Sequence, residues 1–373
     1  MNDSYAQLLV NYCLSIKPKQ RVLVRSSSIA TPLLQSLYEE LLKKGAYVEH
    51  MISFEDQDRL FYDHANSDQL SHISSFYEKA VREYDAIMSI GSPFNVKSTA
   101  SVDQEKKKIA QKAMTDIRKV FMERSAKKEL AWVLAVYPTQ SAAQESGLSL
   151  HEYSDFVHHA CMLYNENPSD SWKRLSSSQE KIVQRLNQGS TLRYKHADTD
   201  LSFSIKGRIW INSDGKYNMP SGEVFSSPVE NSVNGHIHFD IPTVYDGKDV
   251  ESIHLDIKDG IIQDWDAKVG KDVLDRVFSI DGARQFGEVA IGTNYSIKTP
   301  TKNILFDEKI GGTIHMAVGA SYPETGGLNE SAVHWDMIKT MSDGGLIYLD
   351  DELIYENGRF IIDEAADLNT LFN

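Results

Sequence analysis

The chain is poor in several features that whole functional classes require. It has two cysteines in 373 residues, Cys13 and Cys161. Both fall inside helix-like apolar patterns, so neither a disulfide framework nor a thiolate zinc site can be assembled, and a reducing, cytoplasmic location is expected. Basic residues are outnumbered, 39 against 53 acidic, and the formal charge of −14 disfavours nucleic acid as a partner. The longest apolar run, Leu130 to Tyr137, falls well short of the roughly 20 residues a membrane-spanning helix needs, so no membrane association is expected. Met1-Asn2-Asp3-Ser4 lacks the basic start of an export signal. A glycine-rich phosphate loop is also missing: the turn after Val22-Leu23-Val24 reads Arg25-Ser26-Ser27-Ser28, with no glycine to bring backbone amides against an anion. That argues against a nucleotide-dependent enzyme.

What is present suits a two-domain globular protein, since a chain of this length can fill two cores. The first half alternates helix-period and strand-like segments. Tyr5 to Ile16 reads as a helix, Val22 to Val24 as a strand, Thr31 to Lys44 as an amphipathic helix closed by Gly45, and Ala46 to Met51 as a strand. Helical patterns at Leu70 to Arg82 and Val102 to Lys128 flank a strand at Ala86-Ile87-Met88. Leu130 to Val136 is apolar throughout, as expected of a parallel strand covered on both faces. These features predict a doubly wound α/β domain with a mainly parallel sheet over residues 1–187.

After helices at His151 to Tyr164 and Ser178 to Leu186, the pattern changes near residue 188. Short alternating runs, such as Leu201 to Ile205 and His254 to Ile257, are separated by Asp214-Gly215, Asp246-Gly247 and Asp259-Gly260. Such dipeptides are strong hairpin or turn signals. Residues 188–373 therefore read as a mainly antiparallel β domain.

Chemistry-bearing residues concentrate in this second half. In Gly235-His236-Ile237-His238-Phe239-Asp240, strand alternation places His236, His238 and Asp240 on one face. Spacing alone leaves two readings open: a metal site, or the solvated face of a strand whose Ile237, Phe239 and Ile241 face the core. The stretch from Gly311-Gly312-Thr313-Ile314-His315 through Ser321-Tyr322-Pro323-Glu324-Thr325-Gly326-Gly327 to His334-Trp335-Asp336 supplies imidazoles and carboxylates without cysteine, a donor set suited to a hydrolytic metal. His334 and Asp336 converge only if their backbone is extended. Glu223 and Glu288 each follow a glycine amid apolar neighbours, where burial is costly unless a cation or hydrogen bonds compensate.

These segments resemble the thermophilic aminopeptidase family, the metallopeptidases of the aminopeptidase T and S type. The resemblance rests on Tyr217 to Phe225, Gly287 to Asn294, Gly311 to His315, and Ser321 to Gly327 with the His334-Trp335-Asp336 ending, in the family's order. It implies a metal-dependent aminopeptidase acting on peptide substrates and a homodimer. It further implies two divalent ions (zinc, cobalt or magnesium) held by Glu223, Glu288, His315, His334 and Asp336, with Tyr322 and Glu288 as catalytic residues. Glu324 and Glu330 are candidates for proton transfer or amine binding because they lie within the motif. Ser221 stands where the family usually has aspartate, and the resemblance assigns His236 and His238 to a solvated strand face. A catalytically silent peptide-binding protein of the same fold is the competing reading, and the intact ligand set argues against it.

Overall fold

The computed structural model describes residues 1–372. They form two compact units, residues 1–169 with 215–219, and residues 170–214 with 220–372.

The first unit is built on a parallel sheet whose long strands are Arg21–Ser27, Tyr47–Ser53, Ala86–Gly91 and Ala131–Val136. The Tyr47–Ser53 strand lies at one edge. Helix Thr31–Lys43 shows how the sequence drives the crossovers. Its Leu33, Leu34, Leu37 and Leu41 form one buried stripe, Pro32 starts it, and Gly45 at φ 74 follows its end. Two helical segments depart from the sequence pattern. The run 102–128 is two helices, Gln104–Ala113 and Thr115–Ala126, because the first buries no residue whereas the second turns Ile117 into the core. The N-terminal segment begins as an α-helix over Asn2–Gln7 but widens to π geometry over Leu8–Cys13. The Ala131–Val136 strand is also covered less completely than its apolar run predicts, with Leu134 37% exposed.

The second unit holds two sheets with antiparallel pairing. Asp246-Gly247 and Asp259-Gly260 both take positive φ in two-residue hairpins, pairing Tyr245 with Lys248 and Lys258 with Ile261. Asp214-Gly215 does not make a hairpin. It precedes Asn218–Met219, which pairs parallel with Ala131–Val136 in the first unit's sheet. The sheet that carries the chemistry has five strands: Ile211–Ser213, Glu223–Ser226, Phe286–Gly292, Thr313–Gly319 and His334–Thr340. Among the described residues no helix is long and apolar enough to cross a membrane.

Candidate metal centre

Strand alternation sorts this sheet into a chemical face and an apolar face. Val289, Ile291, Ile314, Met316, Val318, Trp335 and Met337 are all buried and belong to the apolar face. The opposite face carries Glu288, His315, His334 and Asp336 in register: Ala290 faces His315, Ala317 faces both Glu288 and Asp336, and Gly319 faces His334. Glu223 lies opposite Gly292 on the neighbouring strand. All five proposed ligands thus share one face, and the residues between them, Ala290, Gly292, Ala317 and Gly319, are small enough to leave room. His334 and Asp336 are extended, as their convergence requires.

The glycines before the two glutamates are needed for close approach. Gly222 has φ +112, and a Cβ there would come within 2.8 Å of the Asn294 Cβ. At Gly287 a Cβ would meet the Ala320 carbonyl oxygen at 2.2 Å. Gln179, fully buried on helix Pro168–Leu186, donates its side-chain amide to the Glu223 carbonyl at 2.6 Å and so anchors that strand.

Glu288 lies between the two histidines, with Oε2 3.1 Å from His334 Nε2 and Oε1 3.7 Å from His315 Nε2. Asp336 repeats the arrangement, Oδ2 3.8 Å from His334 and Oδ1 4.0 Å from His315. Two donor sets result, Glu288 with His334 and Asp336, and Glu308 with His315 and Asp336, each with ligand atoms within 4.8 Å of one another. Glu223 adjoins the second set, its Oε2 3.4 Å from His315 Nε2.

The electrostatics suit a pair of cations. Glu223 Oε2 and Asp336 Oδ1 are buried without a hydrogen-bond partner, which is costly in the absence of a compensating charge. Burial, then the neighbouring Glu308 and Glu288, pushes the Asp336 carboxyl up to about 7. Burial also acts to raise Glu288, but hydrogen bonds from His315 and His334 hold it down at about 2. Burial opposes protonation of the two imidazoles, yet the surrounding carboxylates lift His315 to about 9 and His334 to about 10. His334 Nδ1 contacts the Ala320 carbonyl oxygen at 2.8 Å and donates to it, leaving Nε2 available as a ligand. The donors, imidazole and carboxylate, suit zinc, cobalt or magnesium as divalent ions.

Tyr322 packs edge-on against His334, with ring centroids 5.0 Å apart, and against Phe225 at 5.6 Å. His334 keeps 27% of its side chain exposed against 1% for His315, so the centre opens on the His334 and Tyr322 side. Glu324 and Glu330 are exposed and belong to neither donor set.

The histidine pair divides. His236 is exposed, whereas His238 bonds Asp198 through Nδ1 and Ser252 Oγ through Nε2 at 2.8 Å, and its ring stacks on His254 with centroids 3.9 Å apart. Ile237, Phe239 and Ile241 are buried, and neither histidine belongs to the donor sets. The solvated-face reading therefore holds for His236 and fails for His238, which enters a polar network with Asp198 and the buried Lys339.

Sequence reading missed three functional groups: Glu308, Lys309 and Gln179. The only hint was position, since Glu308 and Lys309 lie within three residues of the start of the Gly311-to-His315 segment.

Comparison with known proteins shows to which proteins the whole chain is similar. The chain is 26% identical to aminopeptidase PepS of Streptococcus thermophilus, over 96% of this chain and 98% of that protein. It is also 26% identical to aminopeptidase 2 of Geobacillus stearothermophilus, over 91% and 92% respectively. The structure of wild-type AmpT from Thermus thermophilus superposes with a TM-score of 0.84 at 23% identity, covering 97% of this chain and 99% of that one, which establishes the shared fold. The thermophilic metalloprotease (M29) family model matches residues 2–360, and the chain belongs to that family.

Proposed function

We propose that this chain is an aminopeptidase that removes residues from the N-termini of peptides. In this reading Glu223, Glu288, His315, His334 and Asp336, joined by Glu308, hold two divalent ions. The observation that carries the reading is the way Glu288 and Asp336 each divide their two oxygens between His315 and His334, an arrangement suited to a pair of cations. The aminopeptidase names of the full-length relatives support the exopeptidase assignment.

When bound, such ions polarise a carbonyl and lower the pKa of water in the site. The remaining work falls to side chains. Burial, with Glu288 and Asp336 nearby, raises the Tyr322 phenol above its ordinary range, so it stays a neutral donor at physiological pH. It can donate a hydrogen bond to the oxyanion that develops on the substrate carbonyl, a contact of the kind typically worth about 3–4 kcal/mol in the transition state. Glu288 stays ionised and orients both imidazoles. We further assign residues 1–187 as scaffold and 188–373 as the catalytic region, because all the proposed ligands fall in the latter. Cysteine usage supports a cytoplasmic location, and the family resemblance supports a homodimer.

The test is hydrolysis of an unblocked peptide and its N-acetylated counterpart before and after dialysis against a chelator. Activity should require the free amine, vanish on dialysis and return with zinc, cobalt or magnesium. Full activity in verified metal-free protein, or equal cleavage of both peptides, would overturn the assignment.

A further inference from the structure

One cation already resides in the centre. Lys309 is 1% exposed; its Nζ lies 2.8 Å from Glu223 Oε1 and also bonds the Glu308 carboxylate. Its backbone is fixed as well, with its N–H donating to Phe306 O and its carbonyl accepting from Asn294 N–H, both at 3.0 Å.

The contacts of Lys309 are one-sided. Both of its carboxylate partners stand with His315, and neither belongs to the Glu288, His334 and Asp336 set. Glu223 is consequently divided, one oxygen on the ammonium and the other, unbonded, facing His315. A divalent ion entering beside His315 must share these carboxylates with a fixed positive charge in a poorly screened interior, where like charges repel strongly. An ion at His334 meets no such competitor among its three donors.

We propose that Lys309 is a built-in counter-cation that makes the two metal sites unequal, so that the Glu288, His334 and Asp336 site fills first and the Glu223, Glu308 and His315 site fills second and more weakly. This inference rests on the two-metal reading above. Lys309 acts as a positioning residue: it holds Glu223 and Glu308 in place before the second ion arrives, and it lowers the net negative charge that would otherwise draw that ion in tightly.

The experiment is calorimetric titration of chelator-stripped full-length protein with cobalt(II) chloride, with the cobalt absorption spectrum recorded at each step. The wild-type protein should show two steps whose dissociation constants differ by about tenfold or more. His315→Gln should abolish the weak step and keep the tight one, and His334→Gln should do the reverse. Lys309→Met, close in size and uncharged, should tighten the second step about tenfold and shift the first by less than about threefold, while Lys309→Arg should retain the wild-type gap. Equal affinities in the wild-type protein, the opposite assignment in the two histidine variants, or an unchanged or weakened second step in folded Lys309→Met would each overturn the proposal and leave the two-metal reading intact. If Lys309→Met does not fold, Lys309→Gln takes its place in the same titration with the same expected result, because the wild-type and histidine titrations test the order of filling and not its cause. Failure of the wild-type protein to bind any cobalt would overturn both.

Discussion

The side-chain amide of Gln179 reaches the backbone carbonyl of Glu223 at 2.6 Å, across a sequence separation of 44 residues. The same amide nitrogen lies 3.2 Å from Ser213 O and 3.1 Å from Asn212 Oδ1. A helix of no evident catalytic character thereby fixes the strand that presents a proposed ligand. Gln179→Leu should weaken metal binding by about 10–100-fold, the usual effect of losing a group that orients a ligand. It should also cost about 1–3 kcal/mol of stability through buried carbonyls left unpaired. Metal titration and denaturant unfolding measure the two effects; unchanged metal affinity would reduce Gln179 to a packing residue.

Tyr322→Phe retains the ring contacts with His334 and Phe225 and deletes only the hydroxyl. If that hydroxyl stabilises the oxyanion, kcat should fall by about 10²-fold or more while metal content stays at the wild-type level. An unchanged kcat would exclude Tyr322 from the chemistry.

The two strand histidines should behave differently. His236→Gln changes an exposed side chain and should alter stability by no more than about 0.5 kcal/mol. His238→Gln disturbs the bonds to Asp198 and Ser252 and should cost about 1–3 kcal/mol. Both variants should bind the wild-type complement of metal. Loss of metal from a folded His238 variant would reveal a further ion site.

Alkaline pH should destabilise the first unit. Burial pushes the Cys161 thiol up to about 12, only partly countered by its hydrogen bond with Tyr5. The unfolded chain releases this proton near the ordinary thiol value and the folded chain does not. Between the two values the unfolded state binds fewer protons, and stability falls as pH rises. The limiting slope for one such group is about 1.4 kcal/mol per pH unit. Unfolding midpoints at pH 8, 10 and 11 should decline, and Cys161→Ala should flatten part of the decline. An identical slope in that variant would assign the effect to other groups, such as the buried Tyr5, which burial also raises.

Local chemistry made part of this protein readable from sequence alone. Asp246-Gly247 and Asp259-Gly260 determine hairpins because their backbone angles are settled within two residues. The alternation in His334-Trp335-Asp336 determines that two donors share a face once the segment is extended. The glycines before Glu223 and Glu288 mark close approach, although not what approaches. Other features had no local signal. The apolar pattern of residues 102–128 does not reveal the break at Met114, because which face each helix buries depends on what it packs against. His238 became a network residue rather than a solvated one only because Asp198, from a turn, and Ser252, from another strand, reach it. Asp214-Gly215 has the dipeptide of a hairpin, but a hairpin also needs a partner strand in register, and the residues that follow pair elsewhere. Glu308, Lys309 and Gln179 are ordinary helix and loop residues in sequence. Tertiary structure alone gave them a role, because the worth of a buried charge or amide depends on which groups share its low-dielectric surroundings, and those groups come from distant parts of the chain.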